Sequence, residues 1–135
     1  MEIIDAYKLT VAAIGGMTLL MFVQLLVADF VGIKQKHVPG SAITADHNNL
    51  LFRASRTVAN TNESVSIFIL ALAFSVLSSA SPETTAYAAW AYVLTRALYA
   101  LCYYSNLQIL RSTCFGLSLI AIVTLFGFGV AAWFY

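Results

Sequence analysis

The chain has 135 residues, of which 61% are hydrophobic and only 10% are charged, and its formal net charge is +1 at pH 7. A mean hydropathy of +0.84 excludes an ordinary soluble domain, because a soluble domain of this length needs far more charge to cover its surface. The seven Lys and Arg residues are too few for the clustered basic surface of a nucleic-acid-binding protein.

Four apolar segments, each roughly 20 to 30 residues long, have the length that crosses a bilayer as an α-helix. The predicted spans are residues 9–33, 49–78, 86–105 and 112–134. The predicted fold class is therefore all-α, an integral membrane four-helix bundle formed by one domain over residues 1–135. The first apolar run is too long for a signal peptide, so we expect it to be a retained helix.

The connecting segments contain the residues that cannot lie in hydrocarbon. The first loop, residues 34–48, contains two lysines and is followed closely by two arginines, and the third connection, residues 106–110, ends at Arg111. The second connection, residues 79–85, has no Lys or Arg. Because basic residues favour the cytoplasmic side, we expect loops 1 and 3 to be cytoplasmic and both termini to lie on the opposite side of the membrane.

The cysteines and histidines do not form a metal-ligand pattern. Cys102 and Cys114 lie in or beside apolar helical runs, so we expect free thiols and no disulfide. His37 and His47 lie in the first loop without companion ligands, and we expect both to be solvated. The sequence therefore predicts no metal site.

The second predicted span carries ionisable residues into an otherwise apolar helix. At 100° per residue, its polar residues fall within an arc of about 80° on one helix face. These residues are Arg53, Arg56, Asn60 and Glu63. A charge at the centre of a span costs about 2.5 to 3.5 kcal/mol on insertion scales, so such groups are expected to face a bundle interior or a wet cavity.

The third predicted span offers a partner for this polar face. Arg96 is expected at a depth similar to that of Glu63, which predicts an ion pair between them that is either part of a site or purely structural. Tyr99 and Tyr103 share one helix face with Arg96, and their hydroxyls could serve either ligand binding or packing.

These motifs resemble those of a known family. The pattern Phe-Arg-x-x-Arg-x-x-x-Asn-x-x-Glu at residues 52–63 is similar to the second-helix signature of the membrane-associated proteins in eicosanoid and glutathione metabolism, the MAPEG family, which includes microsomal glutathione transferases. The pattern Arg-x-x-Tyr-x-x-x-Tyr at residues 96–103 resembles the third helix of that family. Arg111-Ser112 is similar to the thiol-activating Arg and the Ser that follows it in some members.

The resemblance implies a membrane-embedded glutathione-dependent transferase or peroxidase that acts on hydrophobic electrophiles delivered through the surrounding lipid. It further implies a homotrimer with glutathione, the co-substrate, bound between neighbouring subunits. Arg111 and Ser112 would be catalytic, since a guanidinium beside a helix N-terminus lowers the pKa of a thiol. The residues implied to hold glutathione are Arg56, Asn60, Glu63, Arg96, Tyr99 and Tyr103.

Other interpretations of the same residues stay open at the level of sequence. The charges would also suit a non-catalytic membrane protein that keeps the fold, or a small transporter in which Glu63 and Arg96 line a permeation path. Taken singly, Arg53 could extend to lipid headgroups and Arg111 could be a cytoplasmic anchor. Ser112 could be a helix N-cap.

Overall fold

The computed structural model describes residues 2–135, with side chains described from residue 4, and this part of the chain is helical without any β-strand. The helices are α1 (Glu2–Ala6), α2 (Lys8–Lys34), α3 (Leu50–Leu77), α4 (Pro82–Tyr104) and α5 (Gln108–Phe134). The predicted all-α class is confirmed, and the four long helices correspond to the four predicted spans. The short helix α1 is an additional element that the hydrophobic pattern did not predict.

Two of the long helices begin earlier than predicted. Helix α4 begins at Pro82 rather than near residue 86, because proline at the first helical position has a suitable φ and needs no N–H partner. Helix α5 begins at Gln108 rather than near residue 112. As a result, Arg111 lies in the first turn of α5, inside the helix rather than before it.

Three long helices end in the same tight geometry. Lys36, Ser79 and Asn106 follow α2, α3 and α4 with φ values of 54°, 59° and 58°. After α4, Asn106 N–H donates to the carbonyl of Tyr103 over 3.1 Å, and Leu107 N–H donates to the carbonyl of Cys102 over 2.8 Å. This is the Schellman pattern, which ends a helix abruptly. Helix α5 therefore begins only a few residues after α4 and packs directly beside it.

The core lies between the four long helices, with α3 and α4 at the centre and α2 and α5 packed on either side of them. Its largest apolar side chains include Met17, Phe68 and Leu125, each at most 2% exposed. Hydrogen bonds also join the helices within this core. The hydroxyls of Ser64 and Tyr92 lie 2.7 Å apart, and Ser75 Oγ donates to the carbonyl of Leu125 over 2.6 Å.

The outer surface of the bundle is apolar over much of its length. Helices α2, α3 and α5 are each long and apolar enough to cross a membrane, and α4 is a fourth long helix beside them. Large apolar side chains such as Phe22, Phe30 and Val123 are more than half exposed. Contiguous apolar surface of this kind is unfavourable in water and suits lipid. The fold is consistent with an integral membrane protein.

Candidate functional site

A cleft of about 190 Å³ lies among α3, α4 and α5, near the turn that joins α4 to α5. Its polar and aromatic lining comes from all three helices. The lining residues are Asn60, Tyr99, Tyr103, Arg111, Ser112 and Phe115. All of them except Phe115 were predicted from the sequence to belong to the site.

Arg96 lies behind the cleft and is fully buried, with 0% of its surface exposed. Its Nη2 donates to Oδ1 of Asn60 over 2.8 Å and to the hydroxyl of Thr61 over 3.0 Å. Its guanidinium carbon lies 4.3 Å from the ring centre of Tyr99, a cation–π contact. Nε and Nη1 of Arg96 have no hydrogen-bond partner. The predicted ion pair between Arg96 and Glu63 is therefore wrong, since Asn60 and Thr61 take the place of the carboxylate.

The reason is the rotation of α3 about its own axis. The buried stripe of this helix includes Thr57, Thr61 and Ser64, and it points roughly 90° away from the centre of the predicted polar arc. Arg56 and Glu63 consequently lie exposed on the outer surface of the subunit. Small hydroxyl residues, rather than the charged ones, face the subunit interior.

Arg111 projects along the edge of the cleft from the first turn of α5. Its guanidinium carbon lies 4.3 Å from the ring centre of Tyr103. Within residues 4–135, its guanidinium forms neither a salt bridge nor a hydrogen bond to the protein. The positive charge of Arg111 is therefore not neutralised by an acidic side chain of the described chain.

Ser112 lines the cleft but does not cap α5. The N-cap position is Leu107, which gives no side-chain hydrogen bond to the first turn, and Ser112 Oγ donates to the carbonyl of Gln108 over 3.0 Å. The interpretation of Ser112 as an N-cap is therefore wrong. The first N–H groups of α5 lack a side-chain cap, so the positive end of the helix dipole adds to the charge of Arg111.

Aromatic rings fix the geometry of the cleft wall. Tyr99 and Tyr103 pack edge to face with their ring centres 5.5 Å apart, and Phe115 lies 6.2 Å from Tyr99. Sequence reasoning missed Phe115. Its signal was present, because Phe115 lies four residues after Arg111 and residues with that spacing share one helix face.

Arg53 and His47 connect the first loop to the end of α4. Nη1 of Arg53 donates to the carbonyl of His47 over 2.6 Å, and Nε donates to the carbonyl of Tyr104 over 3.2 Å. Arg53 is thus bound by the protein rather than extended to lipid headgroups. His47 is exposed, as predicted, but its ring also stacks against Tyr103, at 6.2 Å between ring centres and 20° between planes.

The family model of the MAPEG family matches residues 9–131, which include the four long helices almost completely and every residue that lines the cleft. This chain belongs to the MAPEG family. No individual curated protein gives a significant match to it. Membership of the MAPEG family supports a membrane protein of glutathione and eicosanoid metabolism, and the resemblance found in the sequence is confirmed.

The electrostatics of the cleft in this MAPEG protein favour an anionic ligand. The guanidinium of Arg111 lies in its wall and that of Arg96 lies directly behind it, whereas none of the six lining residues is acidic. The hydroxyls of Tyr99 and Tyr103 form no hydrogen bond within residues 4–135, so both can donate to a ligand.

Proposed function

We propose that this MAPEG protein is a membrane-embedded glutathione-dependent transferase or peroxidase that acts on hydrophobic electrophiles. The observation that supports the proposal most strongly is the un-neutralised guanidinium of Arg111 at the edge of a cleft that is free of acidic lining residues. Such a positive charge would stabilise a thiolate, which is the nucleophilic form of a thiol. Glutathione is the thiol that membership of the MAPEG family suggests.

The polar groups of the cleft would hold the peptide part of glutathione. Because Oδ1 of Asn60 accepts a hydrogen bond from Arg96, the amide nitrogen of Asn60 is left to donate to a carboxylate or carbonyl of the ligand. The hydroxyls of Tyr99 and Tyr103 would donate to further oxygens. Arg96 would add attraction for the two carboxylates without direct contact, because it lies behind Asn60 in a medium of low dielectric constant.

Arg111 would activate the thiol. A guanidinium close to the sulfur, together with the positive end of the α5 dipole, stabilises the thiolate relative to the thiol and so lowers the pKa of the bound thiol. The thiol proton would pass to solvent, and the thiolate sulfur would then bond to an electrophilic carbon, either displacing a leaving group or adding to an activated double bond that takes up a proton from solvent. With a peroxide, the sulfur would attack one oxygen, the O–O bond would break and the alkoxide would leave as an alcohol after protonation by solvent. The resulting glutathione sulfenic acid would react with a second glutathione to give the disulfide and water. The hydroxyl of Ser112 would provide a further hydrogen-bond donor near the sulfur.

The apolar substrate would arrive through lipid. An apolar groove of about 450 Å³ lies between α3 and α5, on the part of the bundle farther from the α4–α5 turn. Its wall includes Ile67, Phe74 and Phe126. Hydrocarbon in this groove would be close to α3 and α5, the two helices that also carry Asn60 and Arg111.

A homotrimer would complete the site. The cleft of one subunit, about 190 Å³, is smaller than the roughly 300 Å³ at the lower end of small-molecule sites. Arg56 and Glu63 are exposed on a helix that is able to span a membrane, where contact with lipid would be unfavourable. A neighbouring subunit packed against this face of α3 would both enlarge the cleft and bring these two side chains to the ligand.

The proposed orientation follows from the basic residues near the cleft. Lys34, Lys36, Arg53 and Arg111 all lie in or beside the α2–α3 and α4–α5 connections. We therefore place these two connections, and the mouth of the cleft, on the cytoplasmic side of the membrane.

The test is a glutathione titration of the purified protein in detergent, followed by the ultraviolet absorbance of the thiolate. We expect a rise that saturates at a fixed ratio of glutathione to subunit and is lost in Arg111→Ala. Lys8→Ala, which removes an exposed cation at the start of α2, is the matched control and should retain the signal.

Two outcomes would favour the other functions. A folded protein that neither binds glutathione nor raises the thiolate absorbance would favour a non-catalytic member that keeps the fold. Ion- or proton-dependent flux in liposomes that is lost in Glu63→Gln would favour a transporter. In the subunit, Arg96 is buried and Glu63 is exposed, so one path lined by both has no support from their placement.

A further inference from the structure

His47 lies in the first loop, outside the motifs that mark the site. We propose that His47 is a positioning residue whose ring holds Tyr103, and through Tyr103 the guanidinium of Arg111, in the geometry that stabilises the thiolate. The inference rests on the proposed function, because it assigns His47 a role at the same cleft.

Tyr103 is the residue through which His47 would act. The guanidinium of Arg111 lies 4.3 Å from the centre of the Tyr103 ring, which is the contact that the structure gives this charge. His47 stacks on the same ring with 20° between the planes, and Tyr99 packs against it edge-on at 78°. A ring held by two neighbours has little freedom to rotate, so the cation–π contact with Arg111 has a fixed platform.

The backbone around His47 is itself well determined. Asp46 Oδ1 accepts from the N–H of Asn48 over 2.9 Å, and Asn49 Oδ1 accepts from the N–H of Leu51 as the N-cap of α3. The loop therefore reaches α3 through a short hydrogen-bonded turn. His47 lies within that turn, so its position relative to α3 is set by local interactions.

Arg53 then ties this turn to α4. One guanidinium donates both to the carbonyl of His47, at 2.6 Å, and to the carbonyl of Tyr104, the residue after Tyr103, at 3.2 Å. The ring of His47 also packs edge-on against Phe52, with ring centres 5.1 Å apart. These contacts place the imidazole beside Tyr103, although His47 itself is exposed to solvent.

The chemical consequence is indirect catalysis. His47 does not line the cleft, and its ring lies nearly parallel to that of Tyr103, a lining residue, with 6.2 Å between the ring centres. The proposed role requires a planar ring at position 47. It requires neither a proton nor a charge on that ring. An aromatic residue without ionisable nitrogen should therefore replace histidine, whereas a small residue should not.

The experiment compares His47→Ala, His47→Phe and His37→Ala with the wild type. In each protein the thiolate absorbance at saturating glutathione and the kcat and KM of conjugation are measured. His37 is the matched control, because it is a histidine of the same loop at a separate place. Its ring contacts Ser41, and it lines a different crevice together with Asp29. We expect His47→Ala to lower the thiolate signal and kcat roughly two- to tenfold, the range that one aromatic contact supports, with a smaller change in KM.

The other variants decide the interpretation. His47→Phe should restore most of the signal, and His37→Ala should match the wild type. A second route uses Arg53→Leu, which removes both hydrogen bonds that tie the turn to α4 and should reproduce the loss seen in His47→Ala. Equal loss in His47→Phe and His47→Ala would overturn the proposal, since the imidazole itself would then be required.

The inference and the proposed function fail in different ways. A wild-type protein without any thiolate signal overturns the proposed function and the role of His47 with it. A wild-type signal that His47→Ala leaves unchanged overturns the role of His47 alone. Circular dichroism and thermal unfolding of each variant confirm that the comparison is made between folded proteins.

Discussion

Oδ1 of Asn60 accepts a hydrogen bond from Nη2 of Arg96 over 2.8 Å, and this bond joins the wall of the cleft to a guanidinium that has no contact with solvent. A buried guanidinium without a carboxylate depends on its few neutral partners, because each unpaired buried donor is costly. Asn60 therefore has two functions in the structure. Its oxygen is a hydrogen-bond acceptor for a buried guanidinium, and its side chain lines the cleft.

A double-mutant cycle on this pair tests the first function. Asn60→Ala should lower the free energy of unfolding by about 1.5 to 3 kcal/mol, the cost of losing a hydrogen bond to a charged group. Arg96→Met should also destabilise, because the hydroxyl of Thr61 and Oδ1 of Asn60 both lose their donor. The double variant should lose about 1 to 2 kcal/mol less than the sum of the two, as expected for residues in one network. Unfolding in mixed micelles measures each value.

A control double-mutant cycle pairs Asn60 with Arg111 instead of Arg96. Arg111 lines the same cleft but forms no hydrogen bond with Asn60, so Arg111→Met and Asn60→Ala should be additive within about 0.5 kcal/mol. Additivity in the Arg96 cycle as well would show that the bond between Arg96 and Asn60 contributes nothing to stability.

Gly129 of α5 is a site of close helix packing. A Cβ atom at this position would lie 2.6 Å from Cδ1 of Phe74 and 3.2 Å from the backbone of Ser75 on α3. Gly129→Ala should therefore separate α3 from α5 and destabilise the subunit by about 1 to 3 kcal/mol, the usual cost of overpacking. The shift in thermal unfolding temperature measures the effect.

Gly127 on the same helix is the matched control. Nothing lies within 4 Å of the position that its Cβ would occupy. Gly127→Ala should leave the isolated subunit as stable as the wild type, or slightly more stable, because alanine is the better helix former. Equal destabilisation by both substitutions would mean that α3 and α5 do not pack at Gly129 as closely as described.

Phe115 should contribute to glutathione binding through Tyr99. Its ring lines the cleft 6.2 Å from that of Tyr99, so Phe115→Ala should both widen the cleft and free the tyrosine. Aromatic contacts of this kind are worth about 0.5 to 1.5 kcal/mol, which predicts a roughly two- to tenfold rise in KM for glutathione with a smaller change in kcat. Steady-state kinetics with varied glutathione measures both constants.

Leu119→Ala is the control for Phe115→Ala, since Leu119 lies one turn farther along α5, is exposed and does not line the cleft. It should leave the KM for glutathione unchanged. If Phe115→Ala also left KM unchanged, Phe115 would be a packing residue with no part in ligand binding.

The spacing of polar residues within a helix fixes which side chains share a face, so the polar faces of α3 and α4 could be predicted from the sequence. That Asn60, Tyr99, Tyr103 and Arg111 belong to one site was implied by the resemblance to the MAPEG family. How far each helix turns about its axis is set by packing against the others, which a single helix pattern does not contain. For this reason Arg56 and Glu63 are exposed on the outer surface of the subunit, although they share a helix face with Asn60. The helix periodicity predicted which residues of α3 share a polar face, and packing against the other helices determined which way that face points.

The missed contacts have a second physical cause. The guanidinium of Arg53 donates to the backbone carbonyls of His47 and Tyr104, and every residue has a carbonyl, so residue type gives no signal for such a bond. The early start of α5 was missed for a related reason. Asn106 adopts a positive φ that ends α4 within one turn, and asparagine is compatible with either a longer loop or this abrupt end.

Ser79 provides a stability prediction away from the cleft. This exposed residue follows α3 with a φ of 59°, a left-handed conformation that costs a non-glycine residue roughly 1 to 2 kcal/mol. Ser79→Gly removes that cost but also increases the conformational entropy of the unfolded state. We therefore expect the free energy of unfolding to rise by about 0.5 to 1 kcal/mol. Ser81→Gly is the control, because Ser81 is exposed in the same turn with a φ of −50° and should gain nothing. Thermal unfolding measures both variants, and the thiolate signal should be the same in both, since this turn lies at the opposite end of α4 from Tyr103. A Ser79→Gly variant whose unfolding temperature does not rise above that of Ser81→Gly would contradict the left-handed geometry at the end of α3.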